Sequence, residues 1–206
     1  MGLKTKVTEL LKIDYPIVVA PMFLVSNTAM VIEAMKGGIA GCIPALNYRT
    51  LDELRAALKE LKKAKVEGGS FGFNLIVNKS NIKYKGQLAV ICEEGCDFII
   101  TSLGSPEETI KQAHKAGIKV FCDVVDLKFA QKVESLGADA IIAVNNEAGG
   151  HRGNRSPEEL IKELLKIAPE ILKFSQPVWK KIYEYQKLNK KILFEGAQGI
   201  LLDVDH

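Results

Sequence analysis

The chain has 206 residues, of which 47% are hydrophobic and 26% charged, enough apolar material for one substantial core and too much for a disordered tail. Lys and Arg number 28 against 25 Asp and Glu, a net charge of +3, and both signs are scattered. This composition carries no electrostatic footprint for nucleic acid or an anionic membrane. The opening MGLKTKVTELLKIDYP is too polar for a secretory signal and no run of about 18 apolar residues follows it, so a soluble, cytoplasmic protein is expected.

Taken in order, short runs rich in Val, Ile and Phe recur at Pro16–Ala20, Gly38–Ile43, Phe71–Val77, Asp97–Thr101, Lys119–Val124 and Asp139–Val144. Each is followed by an amphipathic stretch with helical spacing, which predicts parallel strands joined by crossover helices. EEGCDFIITS, KAGIKVFCDV and SLGADAIIAV each place a glycine just ahead of a strand, at Gly95, Gly117 and Gly137. A left-handed glycine there ends the helix and turns the chain into the next strand. This beat of about twenty residues fits a β/α barrel or an open doubly wound sheet. Functional-looking residues at the ends of several strands favour the barrel, because an open sheet gathers them at one switch point. Thr50, Ser105-Pro106 and Ser156-Pro157 read as helix starts, with acids following against the dipole.

The cysteines are Cys42, Cys92, Cys96 and Cys122, with one CxxxC and no second pair at knuckle spacing. Reduced, packed thiols and no metal site are expected. His114, within KQAHKAG, reads as a helix surface residue.

Chemistry is expected at the strand ends. Pro21 ends the first ladder within APMFLVSN, Gly72 permits close approach in FGFNLIVNKS, and Asn74 offers an amide that either caps a turn or meets a ligand. The fourth strand ends in Thr101-Ser102-Leu103-Gly104, and the fifth in Cys122-Asp123, where Asp123 is either a hydrogen-bond orienter or a solvated strand end. AVNNEAGGHRGN follows the sixth strand. Gly149 and Gly150 free its backbone to lie against a flat or anionic ligand, and His151 is either a base or a loop imidazole bound to carbonyls.

DYPIVVAPM, GFNLIV and above all EAGGHRG resemble the nitronate monooxygenase family, once called 2-nitropropane dioxygenases, over about residues 12–165. The resemblance implies an FMN-binding β/α barrel with Pro21, Met22, Asn74, Asp123, Glu147, Ala148, Gly149 and Gly150 as cofactor neighbours. It implies that His151 is the base removing the proton next to a nitro group, with a nitronate or nitroalkane and oxygen as partners. A related FMN-dependent enoyl-carrier-protein reductase carries a similar GGH loop, so the loop points to the cofactor more than to the substrate. Two departures stand out. Val144 occupies the place of a frequent glutamine, and the glycine-rich phosphate loops of a seventh and an eighth strand have no counterpart. Instead PEILKFSQPVWKKIYEYQKLNKKILFEGAQGILLDVDH resembles an internal piece of adenylosuccinate synthetase, with Gln198 matching a nucleotide contact and that family's GTP loop and catalytic Asp and His missing.

The expected fold is therefore an incomplete TIM-type (β/α) barrel of about six units over residues 1–166, with a helix and strand over 167–206. An open sheet edge predicts either pairing with a second copy of the chain or poor solubility. The expected function is FMN-dependent nitronate oxidation; an enoyl reductase-like flavoprotein or a non-catalytic hybrid are the alternatives.

Overall fold

A computed structural model describes residues 4–150 and 152–166. His151 and the whole 167–206 segment, including its expected helix and strand and Gln198, lie outside the described residues. Six strands alternate with helices: β1 (Val18–Val19), β2 (Ala40–Pro44), β3 (Ser70–Ile76), β4 (Phe98–Ser102), β5 (Lys119–Val124) and β6 (Ala140–Ala143). The helices are α1 (Lys6–Leu11), α2 (Thr28–Lys36), α3 (Leu51–Ala64), α4 (Tyr84–Glu94), α5 (Glu107–Lys115), α6 (Leu127–Ser135) and α7 (Pro157–Leu164). The strands form one sheet in sequential order, with parallel pairing from β1 through β5. Sequential parallel strands, each followed by a helix, make the fold an incomplete TIM-type barrel, the one of the two architectures left open by the periodicity that the strand-end residues favour.

The described residues divide into two compact units, one of residues 4–123 and 132–142, the other of residues 124–131, 143–150 and 152–166. In the first unit, one face of the sheet and α1 make an apolar cluster of Leu11, Ile13, Ala40, Cys42, Phe98, Ile100 and Phe121, with Val18, Ala140 and Ile142 packed against it. Alternation along a strand puts every second residue on that inner face. The pairing Cys42↔Gly72, Asn74↔Ile100 and Ile100↔Phe121 therefore brings Ser70, Gly72 and Asn74 of β3 to it. Gly72 is required there: a Cβ would lie 2.5 Å from the Phe98 carbonyl oxygen and 2.6 Å from its ring. The Phe98 ring fills the space that Gly72 leaves, and it stacks on Phe121 at 5.4 Å between centroids.

Gly95, Gly117 and Gly137 have φ of 81°, 74° and 88°, the left-handed turns that the repeated unit calls for. Two residues after these glycines stand Asp97, Lys119 and Asp139. Asp97 Oδ2 accepts the Phe71 amide at 2.9 Å, and Asp139 Oδ2 accepts the Val120 amide at 2.8 Å. Each carboxylate thus ties the start of one strand to the preceding strand. Lys119 Nζ joins Asp139 at 3.1 Å, and His114 Nε2 lies 2.9 Å from the same carboxylate, so His114 is an exposed residue with an ionic partner.

Thr50 caps α3 in a capping box with Glu53, and Ser156 caps α7 with Pro157 opening the helix and Glu159 completing the box. The Ser105 cap is a correction. α5 begins at Glu107 with Pro106 as its N-cap and no side-chain cap, because Pro106 at φ −84°, ψ 2° already turns the chain. All four cysteines are free, and among the described residues no cluster of His, Cys, Asp and Glu is placed to hold a metal. Among them, too, no helix is long and apolar enough to cross a membrane.

Candidate functional site

The inner face of the first unit changes character at the carboxyl ends of its strands. Cys42 stands level with Gly72, Asn74 is level with Ile100 and Phe121, and one step further along the strands come Ser102 and Asp123. The side chains of Asn74, Ser102 and Asp123 are linked. Asn74 Nδ2 donates to the Ile100 carbonyl at 3.2 Å and to Ser102 Oγ at 2.8 Å, and Ser102 Oγ donates to Asp123 Oδ2 at 2.6 Å. Asn74 is 7% exposed, so its amide is held rigidly, with both nitrogen protons assigned. The site thus couples a carboxylate to a buried amide through one hydroxyl, across three adjacent strands.

Pro21 and Met22 follow β1 in a loop that is pinned from within. The Met22 amide donates to Ser26 Oγ at 2.8 Å, and Ser26 Oγ to the Ala20 carbonyl at 3.3 Å. Asn47 completes the frame: its Oδ1 accepts the Leu24 amide at 2.9 Å, and its Nδ2 reaches the Ser26 and Met22 carbonyls at 2.9 and 3.4 Å. This holds Leu24 at φ 61°, a left-handed conformation that leucine seldom adopts. Met22 is buried, while Phe23, Leu24 and Val25 are exposed.

Thiol chemistry does not suit this face. Burial pushes Cys42 far above its ordinary range, with Cys96 and Asp123 adding to the effect. Burial also raises Cys122, and the Thr101 hydroxyl 3.2 Å away offsets that only in part. Neither thiol is poised as a nucleophile.

In the second unit, the loop after β6 is closed on itself. Val144 N donates to the Val124 carbonyl at 2.9 Å, Asn146 N to Arg155 O at 2.8 Å, and Gly153 N to Asn145 O at 3.0 Å. Asn145 Oδ1 also accepts the Glu147 amide at 2.8 Å, forming a tight Asx turn. Glu147 and Gly149 are exposed, Ala148 and Gly150 half-buried, and Gly150 has φ 77°. A cleft of about 350 Å³ lies beside Val125, Asp126, Arg152 and Gly153. Val144, at the place of the family glutamine, gives its carbonyl to a close approach by Gly153, where a Cβ would sit 2.5 Å away.

Of the residues singled out in the sequence, Asn74 and Asp123 are brought together; Pro21 and Met22 belong to the same unit, and Glu147 to Gly150 form the second unit's loop. Sequence reasoning noted Ser102 only as polar after an apolar run and passed over Asn47, whose setting in PALNYRT gives no signal for contacts more than twenty residues away.

A parallel β/α sheet whose inner face turns from apolar to hydrogen-bonding at the carboxyl ends of its strands defines the class: an incomplete TIM-type barrel, whose candidate site is at the end where such barrels carry theirs. A family profile described as nitronate monooxygenase matches residues 76–178, half of the chain. The chain belongs to the nitronate monooxygenase family.

Among curated proteins, it is 30% identical over 165 residues to the (3aS,4S,5R,7aS)-5-hydroxy-7a-methyl-1-oxo-octahydro-1H-indene-4-carboxyl-CoA dehydrogenase of Mycobacterium tuberculosis, covering 80% of this chain and 45% of that one. A 49-residue stretch is 61% identical to the adenylosuccinate synthetase of Ehrlichia chaffeensis, 24% of this chain and 11% of that protein. Among solved structures, FabK from Thermotoga maritima aligns with a TM-score of 0.73 at 28% identity, over 80% of this chain and 51% of that one. The nitroalkane oxidase of Streptomyces ansochromogenes aligns at 0.62 and 25% identity, over 75% and 53%. The chain spans less than half the length of these curated relatives.

Proposed function

We propose that the chain is an FMN-dependent oxidoreductase of the nitronate monooxygenase type, acting on alkyl nitronates or nitroalkanes with oxygen. The observation that carries this reading is the linked Asn74, Ser102 and Asp123 set on the inner face of a chain of this family. With both Asn74 nitrogen protons and the Ser102 proton committed within the set, the Asn74 amide oxygen is left as a fixed acceptor that fits the N–H on the polar edge of an isoalloxazine. The pinned Pro21–Met22 backbone suits the flat approach that the family resemblance assigns to it, and the same resemblance assigns Glu147, Ala148, Gly149 and Gly150 to the cofactor.

Bound flavin supplies a two-electron acceptor that oxygen reoxidises. The protein's own part is to orient and to move a proton. In this reading His151 takes the proton from the carbon beside the nitro group of a neutral nitroalkane, and a nitronate, already deprotonated, bypasses that step. Asn74, with its amide fixed by Ser102, would hold the cofactor's edge in one orientation, and Asp123 fixes the Ser102 hydroxyl as an acceptor toward Asn74.

The test is the visible spectrum of the full chain after incubation with FMN and removal of the excess. Retained flavin bands support the reading, and His151→Ala then abolishes turnover of neutral nitroalkanes while sparing nitronates. A protein that stays colourless refutes it and leaves a non-catalytic hybrid. A second, enoyl reductase-like reading draws on the likeness to FabK, which exceeds that to nitroalkane oxidase. Rapid reduction of bound flavin by NADH in stopped flow supports it. Self-association through the edge of the sheet belongs to the same proposal, and a monodisperse monomer in light scattering counts against it.

A further inference from the structure

Residues 22–26 make a closed turn after β1. The Val25 and Ser26 amides donate to the Met22 carbonyl at 3.2 and 3.0 Å, and the Met22 amide donates to Ser26 Oγ at 2.8 Å. Met22 and Ser26 are buried, yet the residues between them display three apolar side chains in a row: Phe23, Leu24 and Val25 are 58%, 73% and 45% exposed. The most exposed of the three also has the costliest backbone. Leu24 sits at φ 61°, a region that glycine enters freely and leucine does not. Burial does not account for this display, and backbone strain persists only where the surroundings enforce it, typically at ligand sites.

The enforcing side chain comes from the next β/α unit. Asn47 ends the short 3₁₀ turn Ala45–Asn47 that follows β2. Its Oδ1 accepts the amide of the strained Leu24 at 2.9 Å, while its Nδ2 donates to the Ser26 and Met22 carbonyls at 2.9 and 3.4 Å, the two ends of the closed turn. One planar amide therefore grips the tip and both feet of the β1 loop. Asn47 is itself mounted firmly. Ala45 is fully buried, and the Tyr48 ring packs on Phe73 of β3 at 6.2 Å between centroids. Pro44, the last residue of β2, pairs in register with Asn74. Asn47 thus leaves β2 just beyond the level of Asn74 and ties the β1 loop to the strand that carries that amide.

We infer that Asn47 is a positioning residue for FMN: it keeps the β1 loop in the strained shape that receives the flavin ring. This role rests on FMN being the cofactor and on the Pro21–Met22 backbone lying against its ring. Asn47 touches no part of the cofactor; it acts through residues 22–26. Without its three hydrogen bonds Leu24 relaxes out of the left-handed region, and the share of chains ready for the ring falls. Apparent affinity falls in the same proportion. Glycine at position 24 holds the same turn without strain, so it makes Asn47 less necessary.

The experiment is titration of FMN with the full chain, followed by flavin fluorescence and by the visible spectrum of the bound form. Asn47→Ala, the double variant Asn47→Ala with Leu24→Gly, and Asp139→Asn are compared with the unaltered protein, and urea midpoints confirm that each folds. Asn47→Ala is expected to weaken FMN about tenfold and to shift the bands of the flavin that stays bound; adding Leu24→Gly recovers about threefold of that loss. Should Asn47→Ala fail to fold, Asn47→Asp takes its place: it keeps the acceptor for Leu24, loses both donors, and weakens FMN at least about threefold. Asp139→Asn removes a tie at the amino end of β6 and leaves affinity and spectrum unchanged, which separates positioning from general loss of stability. Where the unaltered chain binds FMN, an Asn47 variant that binds it equally well overturns the inference alone, as does a double variant no better than Asn47→Ala or an Asp139→Asn that weakens FMN as much. An unaltered chain that binds no FMN overturns the flavin reading and this role with it.

Discussion

Two serines on the same face of neighbouring strands should respond in opposite directions to the same substitution. Ser70 opens β3, is fully buried, and its hydroxyl has no hydrogen-bond partner among the described residues. Ser102 closes β4 and bridges Asn74 and Asp123 at 2.8 and 2.6 Å. Ser70→Ala removes a polar atom whose desolvation goes uncompensated, at the expense of a void one oxygen in size; a gain of about 1 kcal/mol is expected. Ser102→Ala removes a hydroxyl donor to a carboxylate and the acceptor of one Asn74 proton, while Asn74 keeps only the Ile100 carbonyl. Half-burial of Ser102 lets water recover part of that, so the loss is about 2 kcal/mol. The two variants should therefore differ by about 3 kcal/mol, or roughly 6–12 °C in melting temperature for a chain of this size. Urea titrations of the full chain followed by far-ultraviolet circular dichroism measure the difference directly. Equal shifts for the two, or destabilisation by Ser70→Ala beyond about 1 kcal/mol, would refute the account of how this face is satisfied.

Asn47→Ala withdraws the three hydrogen bonds that the Asn47 side chain makes to residues 22–26. It should cost about 2 kcal/mol and speed amide exchange at Leu24, which hydrogen exchange read by NMR resolves. Gly72→Ala drives a Cβ to within 2.5 Å of the Phe98 carbonyl, backbone that cannot swing aside, and should cost about 3 kcal/mol or prevent folding, as expression yield and urea midpoints will show. Asp139 gives a pH dependence. Burial raises its pKa, but the Val120 amide, His114 and Lys119 outweigh that and leave it below the ordinary carboxylate value. A carboxylate depressed in the folded state adds stability above its unfolded pKa, about 4, and loses it as pH falls through the folded value. Asp139→Asn should therefore flatten the fall in urea midpoint between neutral and acid pH; an unchanged slope would contradict this.

Much of the fold is legible in the sequence because it rests on local rules. The β5 run agrees with the structure residue for residue, the other core strands fall within two residues, and the glycines of the repeated unit have the left-handed φ that their place demands. Ser105 misleads because its motif matches that of Ser156, yet Pro106 makes the turn without a side-chain cap; identical short patterns compete with backbone geometry that sequence does not display. At the site, Asn74 and Asp123 are visible as polar residues ending apolar runs. Their connection through Ser102, and the frame that Asn47 builds, depend on register between strands and on loops distant in the chain, which periodicity does not encode.

The carboxylates that begin β4 and β6 bear on how this sheet is assembled. A parallel pair that slips by one residue turns every inward side chain outward, so some feature must choose the alignment. Asp97 chooses it for β3 and β4 by seizing an amide 26 positions earlier, and Asp139 does so for β5 and β6 over 19 positions. Each alignment is thus decided within a single strand-helix-strand unit, by short loops that close early and at small entropic expense. The wall can be laid down one unit at a time, from local information, with no need for the ring to close first.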